Sequence, residues 1–271
     1  MNNFISVNHQ GGVCNTLFKF SAAISLALDN EVNYIFSNEF LRPIHPNCPK
    51  PGYDPDYSVY KDNLLRNIKF TEKLPQPYRV HNEPINFSYS PIFYNKGENL
   101  LLHGYFQSEK YFINNKEFIL DLFRPTEQIK QAIFERIPKI ESSISIHIRR
   151  GDYLNTPEYH PQQSLEYYVS AINLFGTDKN YLVFSDDLDG IKNIFDFLPN
   201  KQYISLGKDY LDLYAMSLCE HNIISNSTFG WWGAYLNENK NKKIVGPTNW
   251  FGPAANHLNS SDIIPNDWIK I

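Results

Sequence analysis

A mixed α/β fold built on parallel sheets is what this sequence predicts, and three observations carry it. From residue 143 onward, apolar runs at 143–148, 181–184, 202–205, 222–225 and 243–245 alternate with segments at 164–174, 188–197, 210–219 and 228–237. The runs read as strands, and the intervening segments repeat apolar residues at three- and four-residue spacing, as helices do. Strands alternating with helices make a parallel sheet wrapped by helices. The chain also opens on a strand–turn–helix unit, with a strand at 4–7, a Gly11-Gly12 turn and a helix over 15–28. Its 271 residues, 42% of them apolar, suffice for a substantial core in one large or two modest domains.

Each element follows from its local pattern. In the first half, regular periodicity fades between Ser37 and Asn99, where Pro43, Pro46, Pro49, Pro51, Pro55, Pro75, Pro77, Pro84 and Pro91 break long elements. This stretch is expected to form an extended surface or a lid over substrate. Order returns at Leu101 with LLHGYFQSEKYF and a helix running towards Phe123, and Arg124-Pro125-Thr126 starts the next helix. A hinge near 138–142 would divide the chain into halves, 1–138 and 139–271.

Composition narrows the function. A net charge of −4 argues against holding nucleic acid by bulk electrostatics, so any anion site must be local. No basic leader or run of about 18 apolar residues is found, and the expectation is a soluble, cytoplasmic chain without a transmembrane segment. Cys14, Cys48 and Cys219 are odd in number and widely spaced, which fits a reducing compartment better than a disulfide framework. The eight His residues show no clustered ligand spacing, so no metal site is expected.

The chemistry concentrates where the strand at 143–148 ends. There Ile144, Ile146 and Ile148 share one face, and His147, Arg149, Arg150 and Asp152 crowd the strand's carboxyl end. Ligands of open α/β sheets bind outside that end, and a guanidinium there grips phosphate or carboxylate with paired hydrogen bonds. Further on, Asn226-Ser227-Thr228 follows a buried apolar strand and opens a helix, where side-chain oxygens and backbone donors form a natural phosphate seat. N-capping alone would also explain Ser227 or Thr228, and packing would explain Trp231-Trp232.

Four segments, GGVCNTLFKF from Gly11, GYFQSEKYF from Gly104, HIRRGDY from His147 and DLYAMSLCEHNIISNSTFGWWGAYLN from Asp212, together resemble the motifs of glycosyltransferase family eleven. These are the α-1,2-fucosyltransferases, with the α-1,6- and protein O-fucosyltransferases as more distant relatives, and the resemblance runs in order over nearly the whole chain. It implies a GT-B type fold, two Rossmann-like domains facing across a cleft, the second the more regular. It further implies inverting transfer of L-fucose from GDP-β-L-fucose to the 2-hydroxyl of a terminal galactoside, in surface glycan synthesis. No metal and no cofactor beyond the donor would be required, and peripheral membrane contact is allowed.

By match to the family's motifs, Arg149 meets the β-phosphate with His147 lining the same pocket, while Arg150 braces the loop. Ser227, Thr228 and Phe229 sit against the phosphates, and Asp212 reads the N1–H and N2–H₂ donors of guanine, which adenine lacks on that edge. Gly12 and Asn15 serve the donor or acceptor from the first domain. The usual GG-x-G-N-Q pattern is departed from at Cys14 and Thr16, which puts donor identity in question. For the catalytic base, Asp152, Glu158 and Glu109 all stand open, Asp152 also reading as a structural partner of Arg149. Two rivals are a metal-dependent transferase using Asp187-Leu188-Asp189, and a carbohydrate-binding protein without turnover.

Overall fold

The computed structural model describes residues 3–8, 12–38 and 57–271, and within them the chain forms two compact units. The first takes in Met1–Arg124 and Leu258–Pro265, and the second Pro125–His257 and Asn266–Ile271. Each is built on its own parallel sheet, the GT-B type of architecture. No helix among the described residues is long and apolar enough to cross a membrane.

In the first unit, β1 (Phe4–Val7) leads into α1 (Val13–Asp29), followed by the short strands β2 (Asn33–Tyr34) and β3 (Phe36–Ser37). After α2 (Ser58–Lys61) come β4 (Phe70–Thr71), β5 (Arg79–Asn82) and β6 (Leu100–His103), and α3 (Lys116–Phe123) closes the unit. The sheet runs β2-β1-β6-β5, with β3 and β4 paired separately. The Pro-rich stretch is therefore part of the scaffold between 57 and 99. Pro75, Pro77 and Pro84 flank β5 without interrupting it, and β5 is an edge strand, where proline nearby removes no ladder bond. Cys48 and residues 39–56 lie outside the described residues. The segment 258–265 is tied in by Asp262, whose carboxylate accepts from Ser88 Oγ at 3.0 Å and Tyr89 N–H at 2.9 Å.

The second unit begins with α4 (Glu127–Arg136), capped as its sequence suggests by Thr126, whose Oγ1 accepts Ile129 N–H. There follow β7 (Ser143–Ile148), α5 (Leu165–Asn173), β8 (Asn180–Ser185), α6 (Leu188–Ile191) and β9 (Lys201–Ile204). The chain continues through α7 (Asp209–Ser217), β10 (His221–Ile223), α8 (Thr228–Tyr235), β11 (Ile244–Gly246) and β12 (Ile269–Lys270). All six strands pair in parallel, in the order β12-β11-β10-β7-β8-β9. The helix expected over 188–197 shrinks to four residues, and turns carry the chain from there while Ile191, Phe195 and Leu198 still reach the core.

β7 lies at the centre of this sheet and is buried along its whole length. One face packs Ile144, Ile146 and Ile148 among Tyr167, Tyr168, Ala171 and Ile172 of α5 and Val183 of β8. The other face carries Ser143, Ser145 and His147, and its polar groups are satisfied internally. Ser145 Oγ accepts from Asn222 Nδ2 at 2.7 Å, and Asn222 Oδ1 accepts from Asn237 Nδ2 at 2.8 Å. The chain leaves β7 through α5 to β8 on one side and returns to β10 on the other. That reversal opens a crevice beyond the carboxyl ends of β7 and β10, the usual ligand position in such sheets.

Candidate functional site

Arg149 emerges one residue past the end of β7 and is held on three sides. Its Nη2 lies 2.8 Å from Asp152 Oδ1, its Nη1 3.1 Å from Asp186 Oδ2, and its guanidinium carbon 5.7 Å from the centre of the Tyr153 ring. Burial works against the charge, but Asp186 and Asp152 more than restore it, so the cation is secure. Tyr153 is itself anchored, its hydroxyl donating to Asn226 O at 2.8 Å.

Asp186 does more than pair with Arg149. Its Oδ1 accepts the backbone N–H groups of Arg150 at 2.9 Å and Gly151 at 3.2 Å, fixing the loop that leaves β7. A Cβ on Gly151 would stand 2.5 Å from Asp186 Oδ2, so only glycine lets the carboxylate so close. Arg150 turns elsewhere, to Asp187 Oδ2 at 2.8 Å and Gln162 Oε1 at 3.0 Å. Asp187 also caps α6 by accepting Gly190 N–H at 3.0 Å. Its two oxygens are thus engaged by an N-cap bond and an ion pair. Among the described residues no three His, Cys, Asp or Glu side chains converge as a metal-binding group.

His147 sits across the crevice's floor, with Nδ1 2.9 Å from Ser225 Oγ and its ring 5.6 Å from that of Phe229. Burial first, and the Arg149 charge second, push its pKa down to about 3, so the imidazole is neutral. Gly230 permits this packing, since a Cβ there would lie 2.6 Å from His147 Nδ1. Ser227 caps α8 by accepting Phe229 N–H at 3.3 Å, and Thr228 opens the first turn, where backbone N–H groups lack carbonyl partners within the helix. Behind them Trp231 and Trp232 are fully buried, Trp231 stacking on Tyr235 at 4.4 Å, which makes the pair packing.

Asn226, formally the acceptor of a glycosylation sequon, is 1% exposed and donates to Pro161 O and Trp250 O. It joins the segments on either side of the site and is closed to modification. Asp212 lies in the first turn of α7, where Oδ1 accepts Leu206 N–H at 2.8 Å and burial pushes its pKa up to about 6. No hydrogen bond or ion pair links Asp212 to the Arg149 group. Glu158 is exposed, and its backbone carbonyl accepts Ala254 N–H at 2.9 Å.

The remaining expected residues belong to the first unit. Gly12 is the N-cap of α1, and Asn15 Oδ1 accepts from Gln107 Nε2 at 3.0 Å, so the GYFQSEKYF segment orients that amide. Gly11 lies outside the described residues. Cys14 and Thr16, the departures from the family pattern, are both buried, and Thr16 Oγ1 pairs with the Tyr57 hydroxyl at 3.0 Å. Both are packing positions. Glu109 stands 3.9 Å from Lys116 Nζ. Asp186 and Tyr153 were not anticipated from sequence as site residues, although FSDD after an apolar strand was the available signal for the first; Asn226, expected in the phosphate seat, turns its amide instead to Pro161 and Trp250.

Comparison with known proteins agrees with this architecture. The profile of glycosyl transferase family 11 matches residues 2–271. The chain belongs to that family. It is 34% identical over 185 residues to the O-antigen biosynthesis glycosyltransferase WbnK of Escherichia coli, covering 63% of this chain and 60% of that one. An α-1,2-colitosyltransferase of the same organism is 32% identical over 179 residues, covering 62% and 61%. A galactoside 2-α-L-fucosyltransferase of Caenorhabditis elegans is 31% identical over 156 residues, covering 52% and 44%. These alignments span about three fifths or less of the relatives' length. Among solved structures, the NodZ α-1,6-fucosyltransferase of Bradyrhizobium, co-crystallised with GDP, superposes with a TM-score of 0.52 at 13% identity. The match covers 86% of this chain and 92% of that one, and it is a likeness of fold.

Proposed function

We propose that the chain transfers L-fucose from GDP-β-L-fucose to the 2-hydroxyl of a terminal galactoside, inverting the anomeric centre, in the assembly of a surface glycan. The observation that carries this reading is Arg149, a half-buried guanidinium held in place at the carboxyl end of the central strand beside the start of α8. Transfer from a nucleotide diphosphate sugar builds negative charge on the departing β-phosphate, and preorganised positive groups there lower the barrier. Arg149 meets that charge, and the start of α8 at Ser227 and Thr228 forms the other wall, with the Thr228 N–H as a first-turn donor. His147, neutral, lines the floor without adding charge, and Asp152 braces the guanidinium.

Asp212 is assigned to the guanine edge. One of its oxygens is engaged by Leu206, and the carboxylate remains an acceptor for two guanine donors. Two of the relatives are described as a colitosyl- and a fucosyltransferase, and both of those sugars are 6-deoxy. Because one of them is described as a colitosyltransferase, colitose is the second donor to weigh. Incubating the protein with GDP-fucose, GDP-colitose, GDP-mannose and several UDP-sugars, with and without lactose, tests the reading. Acceptor-dependent consumption of GDP-fucose is expected, and exclusive use of a UDP-sugar would overturn it.

A further inference from the structure

We propose that His160 takes the proton from the attacking acceptor hydroxyl, a role that rests on the transferase reading above. In an in-line displacement the entering oxygen and the leaving phosphate lie on opposite sides of the sugar's anomeric carbon. With hydrogen bonds of about 3 Å at either end and reacting atoms about 3 Å apart, the base belongs roughly 10 Å from the cation that holds the phosphate. Asp152, only 2.8 Å from Arg149, sits at the leaving-group end.

His160 falls within that reach of the cation. Its ring stacks on Tyr153 at 4.9 Å and 18°, and the Arg149 guanidinium lies 5.7 Å from the same Tyr153 ring. The two spacings keep imidazole and guanidinium no more than about 11 Å apart. Tyr153, which both groups approach, is pinned through Asn226. Tyr159 and Phe251 complete the surround at 4.8 Å and 5.9 Å, apolar rings against which the face of a sugar packs well. No hydrogen bond engages either ring nitrogen of His160 among the described residues.

The charged and titratable groups around His160 are Asp152, Arg149, Tyr153 and Tyr159, with Glu158 two residues away on the exposed side. Burial holds the imidazole below its ordinary pKa; Asp152 opposes this and Arg149 reinforces it. At neutral pH it therefore carries a lone pair. As the acceptor oxygen bonds to the anomeric carbon, the bond from that carbon to the phosphate oxygen breaks and its electron pair leaves with GDP. The hydroxyl proton passes to His160, and the imidazolium so formed is stabilised by the Tyr153 face and, through space, by the Asp152 charge before water removes the proton.

The test uses full-length His160→Gln and His160→Ala, with GDP affinity by calorimetry and single-turnover transfer from pH 5 to 9. GDP affinity within about threefold of wild type, transfer down about 100-fold or more, loss of the acid limb of the rate profile and partial rescue of His160→Ala by imidazole are expected. Transfer within fivefold of wild type, or an acid limb unchanged in His160→Gln, overturns the inference and leaves the function standing. If both variants unfold, the wild-type profile decides, and a rate flat from pH 5 to 7 overturns the inference. Wild-type protein that binds GDP yet transfers no sugar removes the function and this role together.

Discussion

Acidification to pH 5 is expected to cost the second unit about 2 kcal/mol through His147 alone. The side chain is 3% exposed, bonded to Ser225 and pressed against Gly230, with no room for a solvating shell around a cation. Its pKa in the fold is about 3, against 6.5 for a free imidazole. The sign follows from the depressed value. Above pH 6.5 both states are neutral and the stability is fully present. Below it the unfolded chain binds a proton that the folded one refuses, so stability falls by up to about 1.4 kcal/mol per pH unit until the folded pKa is reached. All four tryptophans lie in the unit that holds His147, so urea unfolding followed by their fluorescence reports on it directly. Between pH 7 and pH 5 the wild-type protein should lose about 2 kcal/mol more than His147→Gln. Parallel losses would refute the argument, since they would mean that the buried imidazole is protonated as easily as a free one.

Asp212 carries the opposite sign. Burial raises its pKa to about 6 from 3.8, so its neutral form favours folding below pH 3.8 and that advantage is lost as pH rises through 6. Asp212→Asn should therefore raise the melting temperature at pH 8 but not at pH 4, while weakening GDP binding about tenfold and leaving ADP binding unchanged. Gly230→Ala places a methyl against His147 Nδ1 and should destabilise by about 1–3 kcal/mol in urea unfolding. Asp186→Asn keeps an acceptor for the Arg150 and Gly151 amides but removes a charge from Arg149. Transfer should slow about tenfold with little change in melting temperature.

Much of this site lies in contiguous sequence, and that portion was legible. The strand over 143–148 and the strand over 4–7 occur with the bounds their patterns predict, because each is a short apolar run with clear ends. Ser227 shows itself as a cap for the same local reason. Asp186 does not, since its partners Arg149, Arg150 and Gly151 meet it only once β7 and β8 pair in parallel over six positions. Tyr153, Asn226 and His160 likewise acquire their places through contacts between loops distant in sequence. The helix expected to reach 197 failed differently. Asp187 starts it, but Gly190 weakens it from within, and the apolar spacing that suggested a helix is served by turns burying Phe195 and Leu198. Thr16 stands out in sequence as a departure from the family's motif, and what replaces the usual side chain's role shows only in the fold, where its hydroxyl pairs with that of Tyr57.

The central claim is that Arg149 receives the departing diphosphate, and the turnover of Arg149→Ala with saturating GDP-fucose and lactose tests it most directly. Loss of one preorganised donor at a developing anion typically costs 10²- to 10³-fold in rate, so a fall of at least that size is expected in a variant that remains folded. A folded Arg149→Ala protein turning over within tenfold of wild type would contradict the account.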